Sequence, residues 1–447
     1  MGYGVRIDYQ DASGYAGWAD EFLRPSSEEE IVGILGRASI SRTPVTVVGA
    51  LTGLTGAAAA QGGWALSTER MTGLEIRSGS AVCQPGVRLR DLQAAARATG
   101  QFFAPDPTES AASIGGAIST NASGSRSFRY GSTAKHVLGL RVALPDGRVL
   151  AVRRGEPVDF DIAPLKLPNT TKHSAGYRLQ PGMEWVDLFV GAEGTLGVIT
   201  EAEVQLLPLP AEMLSGVIFF RSDAAALNAV DAWRPIEGLR MLEYCDRASL
   251  DLVGVPHEAA LLVEQELTEE ETLEVWQERL EEAGALIEDS WIAASDGDRE
   301  RFRRFRHSLP ETVNARVKRN GFMKVGSDYA VPFECNREML GYYRQRLEEN
   351  FPGLYVIYGH IGDGHVHVNV LPETQLQFDR AQQVLSEFAA KAVELNGTVG
   401  AEHGLGKRKA HLLELMYSPG DLSAMRAVKT ALDPHWLLGP GTLFPPR

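Results

Sequence analysis

Residues 105–132, PDPTESAASIGGAISTNASGSRSFRYGS, limit what this chain can fold into. Ser113, Gly115, Gly116, Ser119, Thr120, Ser123, Gly124 and Ser125 crowd the stretch with small side chains and hydroxyls. Almost no bulky apolar side chain interrupts it, so it is not an ordinary core segment. Glycine lets a backbone press against a ligand, and Ser, Thr and Asn supply groups that hydrogen-bond to one. A flexible Gly/Ser linker would share this composition. Pro105, Asn121 and Tyr130 stand fixed among the small residues, however, and a strand-like run at 137–144 follows directly, so we read a ligand-facing surface.

At 447 residues the chain predicts two or more domains. Its 44% hydrophobic and 23% charged residues fit a soluble globular protein. The net charge of −14 argues against nucleic acid or an anionic membrane as partner. A small anionic substrate would then need a local cationic pocket. Cys83, Cys245 and Cys335 are scattered, with no CxxC pair. That spacing argues against an iron–sulfur cluster or structural zinc in this chain, and it fits a reducing compartment. The opening MGYGVRIDYQDASG lacks the apolar core of a leader, and no stretch has the length of a membrane span. The expectation is a cytoplasmic protein, with docking at the inner face of the membrane left to a partner.

Ser27 and Glu30 form a capping-box pattern ahead of Ile31, Ile34 and Leu35, which predicts a helix. A short apolar strand at 44–48 runs into GALTGLTG, with Gly49, Gly53 and Gly56 placed to offer backbone N–H groups to a pyrophosphate. The spacing is not GxGxxG and no clear βαβ unit surrounds it, which speaks against a nicotinamide site. Short strands with glycine breaks continue through 66–87, and a polar irregular stretch occupies 166–182. GAEGTLGVIT then repeats the glycine-rich theme at Gly191, Gly194 and Gly197. Composition changes at 208–210, the expected domain boundary. Beyond it strands alternate with amphipathic helices, the pattern of a ferredoxin-like antiparallel sheet with helices on one face. An Arg-rich helix is expected from Asp296, its candidate N-cap, to Val317, with Pro310 kinking or restarting it.

PDPTESAASIGGAISTNASG, YGST, HVLGLRVALPDGRVL and GAEGTLGVIT together resemble the flavin-binding domain of the vanillyl-alcohol oxidase and p-cresol methylhydroxylase superfamily. Nearly the whole chain is similar to its branch of FAD-linked D-lactate, glycolate and D-2-hydroxyglutarate dehydrogenases. The resemblance implies an α+β protein. A two-part FAD-binding domain would span 1–210, and a ferredoxin-like substrate (cap) domain 211–447, with a C-terminal segment returning to the flavin. Residues implied to contact FAD are Gly49, Thr52, Gly53, Leu54, Gly56, Pro105, Asp106, Ser113, Gly115, Gly116, Thr120, Asn121, Ser123, Gly124, Gly131, Glu193, Gly194, Gly197 and Ile199. Thr52 stands near where covalent relatives carry a flavin-tethering His, so the FAD is expected to be non-covalent. Ala50 and Leu51 replace two glycines of the family's loop, and Gly439 stands where an Asn is usual.

GHIGDGHVHVNVLP, 359–372, is the most specific stretch of the second half. A Gly-Asp-Gly turn brings His360 back towards His367, a natural start to a divalent metal site. GTVGAEHGLGKRK, 397–409, offers Glu402 and His403 in a glycine-rich segment. Both motifs resemble the metal-dependent D-2-hydroxyacid dehydrogenases. That resemblance implies His360, His367 and Glu402 as ligands of a divalent metal, zinc ahead of manganese. It also implies His403 as the base and Asn369 as a neighbouring polar contact. Arg306 and Lys324 would hold the substrate carboxylate; a solvated helix face is the alternative for Arg306, given Arg303, Arg304, Arg316 and Arg319 nearby. The implied reaction oxidises a small D-2-hydroxy acid, of lactate, glycolate or 2-hydroxyglutarate type, by hydride transfer to flavin N5. Electrons would leave to an iron–sulfur subunit, an electron-transfer flavoprotein or a quinone. Two rival readings are a metal-independent flavin oxidase of a sugar or alcohol, and a non-catalytic flavin subunit of a larger complex.

Overall fold

The strand Leu239–Asp246 is buried at every position, so both of its faces must be covered by other elements. The computed structural model, which describes residues 6–446, shows how. Leu239–Asp246 lies at the centre of a seven-stranded sheet. The strand order is Trp291–Ile292, Met213–Phe220, Ala259–Glu266, Leu239–Asp246, Tyr355–Gly359, His367–Val370, Val325–Gly326. Every pairing in it is antiparallel. Ile218, Phe220 and Tyr244 pack with residues of the helices Asp223–Trp233, Asn336–Asn350 and Gln375–Glu394. Val217, Phe219 and Cys245, on the opposite face, pack with Phe302, Leu309, Val313 and Val317 of the long helix Asp296–Arg319. Helices therefore cover both faces, which corrects the one-face expectation. Strands this apolar on both sides cannot leave one side in water.

The long helix starts one residue earlier than expected: Ser295, not Asp296, is its N-cap and accepts the N–H of Asp298. It does not restart at Pro310 but runs as one element. The absent N–H of Pro310 removes only the bond that would reach the carbonyl of Arg306, one turn back.

The first half holds two main sheets, beside the two-stranded pairs Ile7–Gln10 with Ala16–Ala19 and Gln101–Phe102 with Leu207–Pro208. Glu21–Leu23, Trp64–Ser67 and Val45–Val48 form a small parallel sheet. The helix Glu28–Ser41 packs beside it, capped by Ser27; Glu30 returns to the N–H of Ser26, so only half of the capping box forms. Val149–Arg153, Val137–Ala143, Val198–Gln205, Ser80–Cys83 and Leu74–Arg77 form an antiparallel five-stranded sheet in that order. Residues 105–132 are no linker. They contain the short helices Ile114–Ser119 and Ser127–Tyr130, and much of the segment is buried.

The C-terminal segment comes back to the first half. Leu438 bridges Val45 in parallel, and the N–H of Gly439 reaches the Val45 carbonyl at 2.9 Å. Gly439 sits at φ +57° and Leu51 at φ +59°, so the Leu that replaces a family glycine carries the backbone strain glycine would avoid. Met1–Val5, part of the opening read for a leader, lie outside the described residues. Among the described residues, no helix is long and apolar enough to cross a membrane.

Candidate active site

One cavity of about 630 Å³ runs between the two halves. From the first half it is lined by Gly49, Thr52, Gly53, Leu54, Ser113, Gly115, Gly116, Thr120, Ser123, Gly124, Glu193, Gly194, Gly197 and Ile199. From the second half come Arg306, Lys324, His360, His367, Glu402 and His403. Both glycine-rich stretches and both histidine motifs thus face a single space. Gly56, Pro105, Asp106, Asn121, Gly131 and Asn369 do not line it. Asn121 is internal: its amide donates to the His173 carbonyl at 3.1 Å and accepts from Ala134 N–H at 2.9 Å. Asp106 Oδ2 lies 3.2 Å from Arg126. The need for glycine is plainest at Gly124, where φ is +145° and an added Cβ would lie 2.1 Å from the Asp106 carbonyl oxygen.

The short 3₁₀ turn Ile361–Asp363, closed by Gly364, folds His360 back over His367. His360 Nε2 lies 3.2 Å from Glu402 Oε2, and His367 Nε2 lies 3.6 Å from the same oxygen. The outward ring nitrogens are engaged elsewhere. His360 Nδ1 is 2.7 Å from Glu243 Oε1, and His367 Nδ1 is 3.2 Å from the Ser327 carbonyl. If each Nδ1 carries the proton towards these oxygens, each Nε2 points a lone pair at Glu402 Oε2. Burial opposes charge on His360, yet Glu402 and Glu243 outweigh it and raise the pKa of its imidazole. The site therefore favours positive charge at the point where the three donors meet. Two nitrogens and one carboxylate oxygen are a donor set that fits a zinc-like divalent ion with open positions.

Glu402 and His403 diverge around His367: while Glu402 meets its Nε2, the His403 ring stacks on it at 5.6 Å. Gly404, at φ +68°, permits the bend, and an added Cβ there would lie 2.6 Å from Glu193 Cδ. Glu193 in turn accepts the N–H groups of Leu405 and Gly406, each at 2.9 Å, which ties this loop to the glycine-rich turn at 191–197. Burial pushes His403 down to about 4, against the pull of Asp328, so the imidazole is neutral near pH 7.

Arg306 is neither a solvated helix residue nor a free clamp. Its Nε and Nη2 engage both oxygens of buried Glu243, and its Nη1 donates to Thr108 Oγ1 at 3.0 Å. Burial pushes Lys324 down to about 8, and among the described residues its ammonium has no ion-pair partner. Asn369 is fully buried on its strand, beside the Tyr358 hydroxyl.

Residues 19–153 match the FAD binding domain family, and residues 209–443 match the C-terminal domain of FAD linked oxidases. The chain belongs to the FAD-linked oxidases. It is similar to a D-lactate dehydrogenase of Archaeoglobus fulgidus, 32% identical over 94% of this chain and 90% of that one. It is also similar to the glycolate oxidase subunit GlcD of Bacillus subtilis, 30% identical over 98% and 91% of the two chains. A D-2-hydroxyglutarate dehydrogenase of Xanthomonas citri is 29% identical over 94% and 88%. The fold is shared with alkyldihydroxyacetonephosphate synthase, at TM-score 0.67 and 16% identity, over 94% of this chain and 76% of that one. The family read from the glycine-rich and histidine motifs is thus the right one, and this FAD-linked oxidase is an FAD-dependent oxidoreductase.

Three residues of the oxidase site escaped sequence reasoning. Lys172 lies in the irregular stretch 166–182 and is fully buried against Glu402, at 2.7 Å. Glu243 lies in the strand LRMLEYCD, and Asp328 in a short edge segment. An acidic residue flanked by Leu242 and Tyr244 was the available signal for Glu243. Lys172 and Asp328 had none, because their partners lie far away in sequence.

Proposed function

We propose that this FAD-linked oxidase is a dehydrogenase of small D-2-hydroxy acids, of the lactate, glycolate or 2-hydroxyglutarate type, with non-covalent FAD and a divalent metal, zinc or manganese. The reading rests on one observation: His360, His367 and Glu402 Oε2 converge beside His403 on the wall of the cavity that the flavin-binding glycines line. What FAD supplies there is a hydride acceptor, and what a divalent ion supplies is a Lewis acid for the substrate hydroxyl. His403, neutral near pH 7, takes the hydroxyl proton, and Asp328 Oδ2, 3.4 Å from its Nδ1, stabilises the imidazolium that results. Lys324 pairs with the substrate carboxylate. Arg306 adds its Nη1 edge while its fork holds Glu243, and Asn369 offers a polar contact nearby. Thr52 lines the cavity without a tethering imidazole. The FAD-binding part is taken as residues 1–210 and the substrate part as 211–447. Electrons pass on to a partner: an iron–sulfur subunit, an electron-transfer flavoprotein or a quinone. We place the protein in the cytoplasm, at the membrane's inner face where that partner is membrane-bound. The named activities of the similar dehydrogenases support the substrate class.

The test is a screen of D-2-hydroxy acids with an artificial electron acceptor, before and after chelation. Turnover that chelation abolishes and added zinc or manganese restores is the expected result. Full activity after chelation would make the protein a metal-independent oxidase. No turnover of any acid would make it a non-catalytic flavin subunit.

A further inference from the structure

We propose that Lys172 is a positioning residue for the metal centre: its ammonium holds the outer oxygen of Glu402, so the carboxylate meets an ion through Oε2 alone. The inference rests on the metal reading above. Lys172 Nζ donates to Glu402 Oε1 at 2.7 Å and to the Gly124 carbonyl at 3.0 Å, and it stands 3.2 Å from Asp363 Oδ2. Its side chain is 0% exposed. Ser123 Oγ donates to the same Oε1 at 2.9 Å. Oε2 has different company, the Nε2 atoms of His360 and His367. The imidazoles come from the second half of the chain; Lys172, Ser123 and Gly124 come from the first.

This division of partners has a geometric and an electrostatic consequence. Bidentate binding by Glu402 would pull Oε1 away from Lys172 and Ser123, costing the buried ammonium one of its three partners and the Ser123 hydroxyl its acceptor. One oxygen is therefore kept out of the coordination shell. The ammonium, which Glu402 shares with Asp363, offsets part of the Glu402 charge. The carboxylate then neutralises less of a divalent ion and leaves more of its charge for the substrate's carboxylate and ionising hydroxyl. The same ammonium repels the ion, so the site trades affinity for electrophilicity. Asp363, held also by Ser127 Oγ at 2.9 Å and Thr171 Oγ1 at 2.5 Å, anchors the ammonium from another side.

The experiment measures Mn²⁺ binding, with Mn²⁺ alone as the probe, to FAD-loaded wild type and to the Lys172→Met, Lys172→Gln and Lys172→Arg variants by competition against a chromogenic chelator. Gln removes the charge and keeps a donor for Oε1, so it also guards against a Met variant that fails to fold. Lys172→Gln and Lys172→Met should bind Mn²⁺ about tenfold or more tightly than wild type, and Lys172→Arg within about threefold of it. Unchanged or weaker binding in Lys172→Gln, with FAD content intact, would leave Lys172 a purely structural residue and overturn the inference. Wild type that binds no Mn²⁺ would instead overturn the metal reading on which the inference stands.

Discussion

Asp328 Oδ2 accepts the backbone N–H of His403 at 3.0 Å. The same carboxylate lies 3.3 Å from the N–H of Glu402 and 3.4 Å from His403 Nδ1. One fully buried acid thus holds the backbone of the proposed ligand and base and faces the ring of the base. Asp328→Asn keeps an acceptor for the backbone but removes the charge facing the imidazole. It should retain FAD and metal while flavin reduction slows about 10–100-fold, the range usual for groups that support a catalytic ligand. Asp328→Ala should lose metal as well, because the loop loses its anchor. Stopped-flow flavin reduction with metal analysis on the same samples separates the two, and equal behaviour of both variants would remove the electrostatic role.

Glu402 and His403 should separate in the same assay. Glu402→Gln should lose metal and activity together, with partial recovery at high added metal. His403→Asn should keep metal and FAD yet reduce flavin about 10²–10⁴-fold more slowly. Normal reduction in His403→Asn would rule it out as the base.

Lys324 carries a pH prediction. Its pKa is lowered to about 8 by burial, so the ammonium proposed to pair with the substrate carboxylate is present below that pH and lost above it. The kcat/KM of wild type should therefore fall as pH rises through about 8. Lys324→Met should show a low, flat profile over that range, while Lys324→Arg keeps its activity further into alkaline pH. A descending limb unchanged in Lys324→Met would assign the titration to another group.

FAD should be released whole by acid precipitation, since Thr52 on the cavity wall offers no nitrogen for a flavin bond. Yellow chromophore retained on the denatured chain would contradict this. Gly124→Ala should lower FAD content on purification, because its Cβ has no room against the Asp106 carbonyl.

Much of this protein is decided locally, and local decisions are legible in the chain. The glycine-rich stretches 105–132 and 191–199 announce a backbone pressed against a ligand because only small residues allow that approach. The pair of motifs around His360 and Glu402 announces a donor set, because a tight turn returns His360 to His367 whatever surrounds it. The family follows from those motifs. What the chain alone could not reveal depends on residues brought together from distant positions. Helices cover both faces of the seven-stranded sheet because Asp296–Arg319 packs on the side opposite the other helices, a placement set by contacts distant in sequence. Arg306 looked like a candidate clamp, but whether its fork is free is decided by Glu243, 63 positions away. Lys172 reads as a solvated lysine in a loop until Glu402, 230 positions on, meets it in the interior. Charge compensation of this kind is a property of distance and burial in three dimensions, so only the tertiary structure decides it.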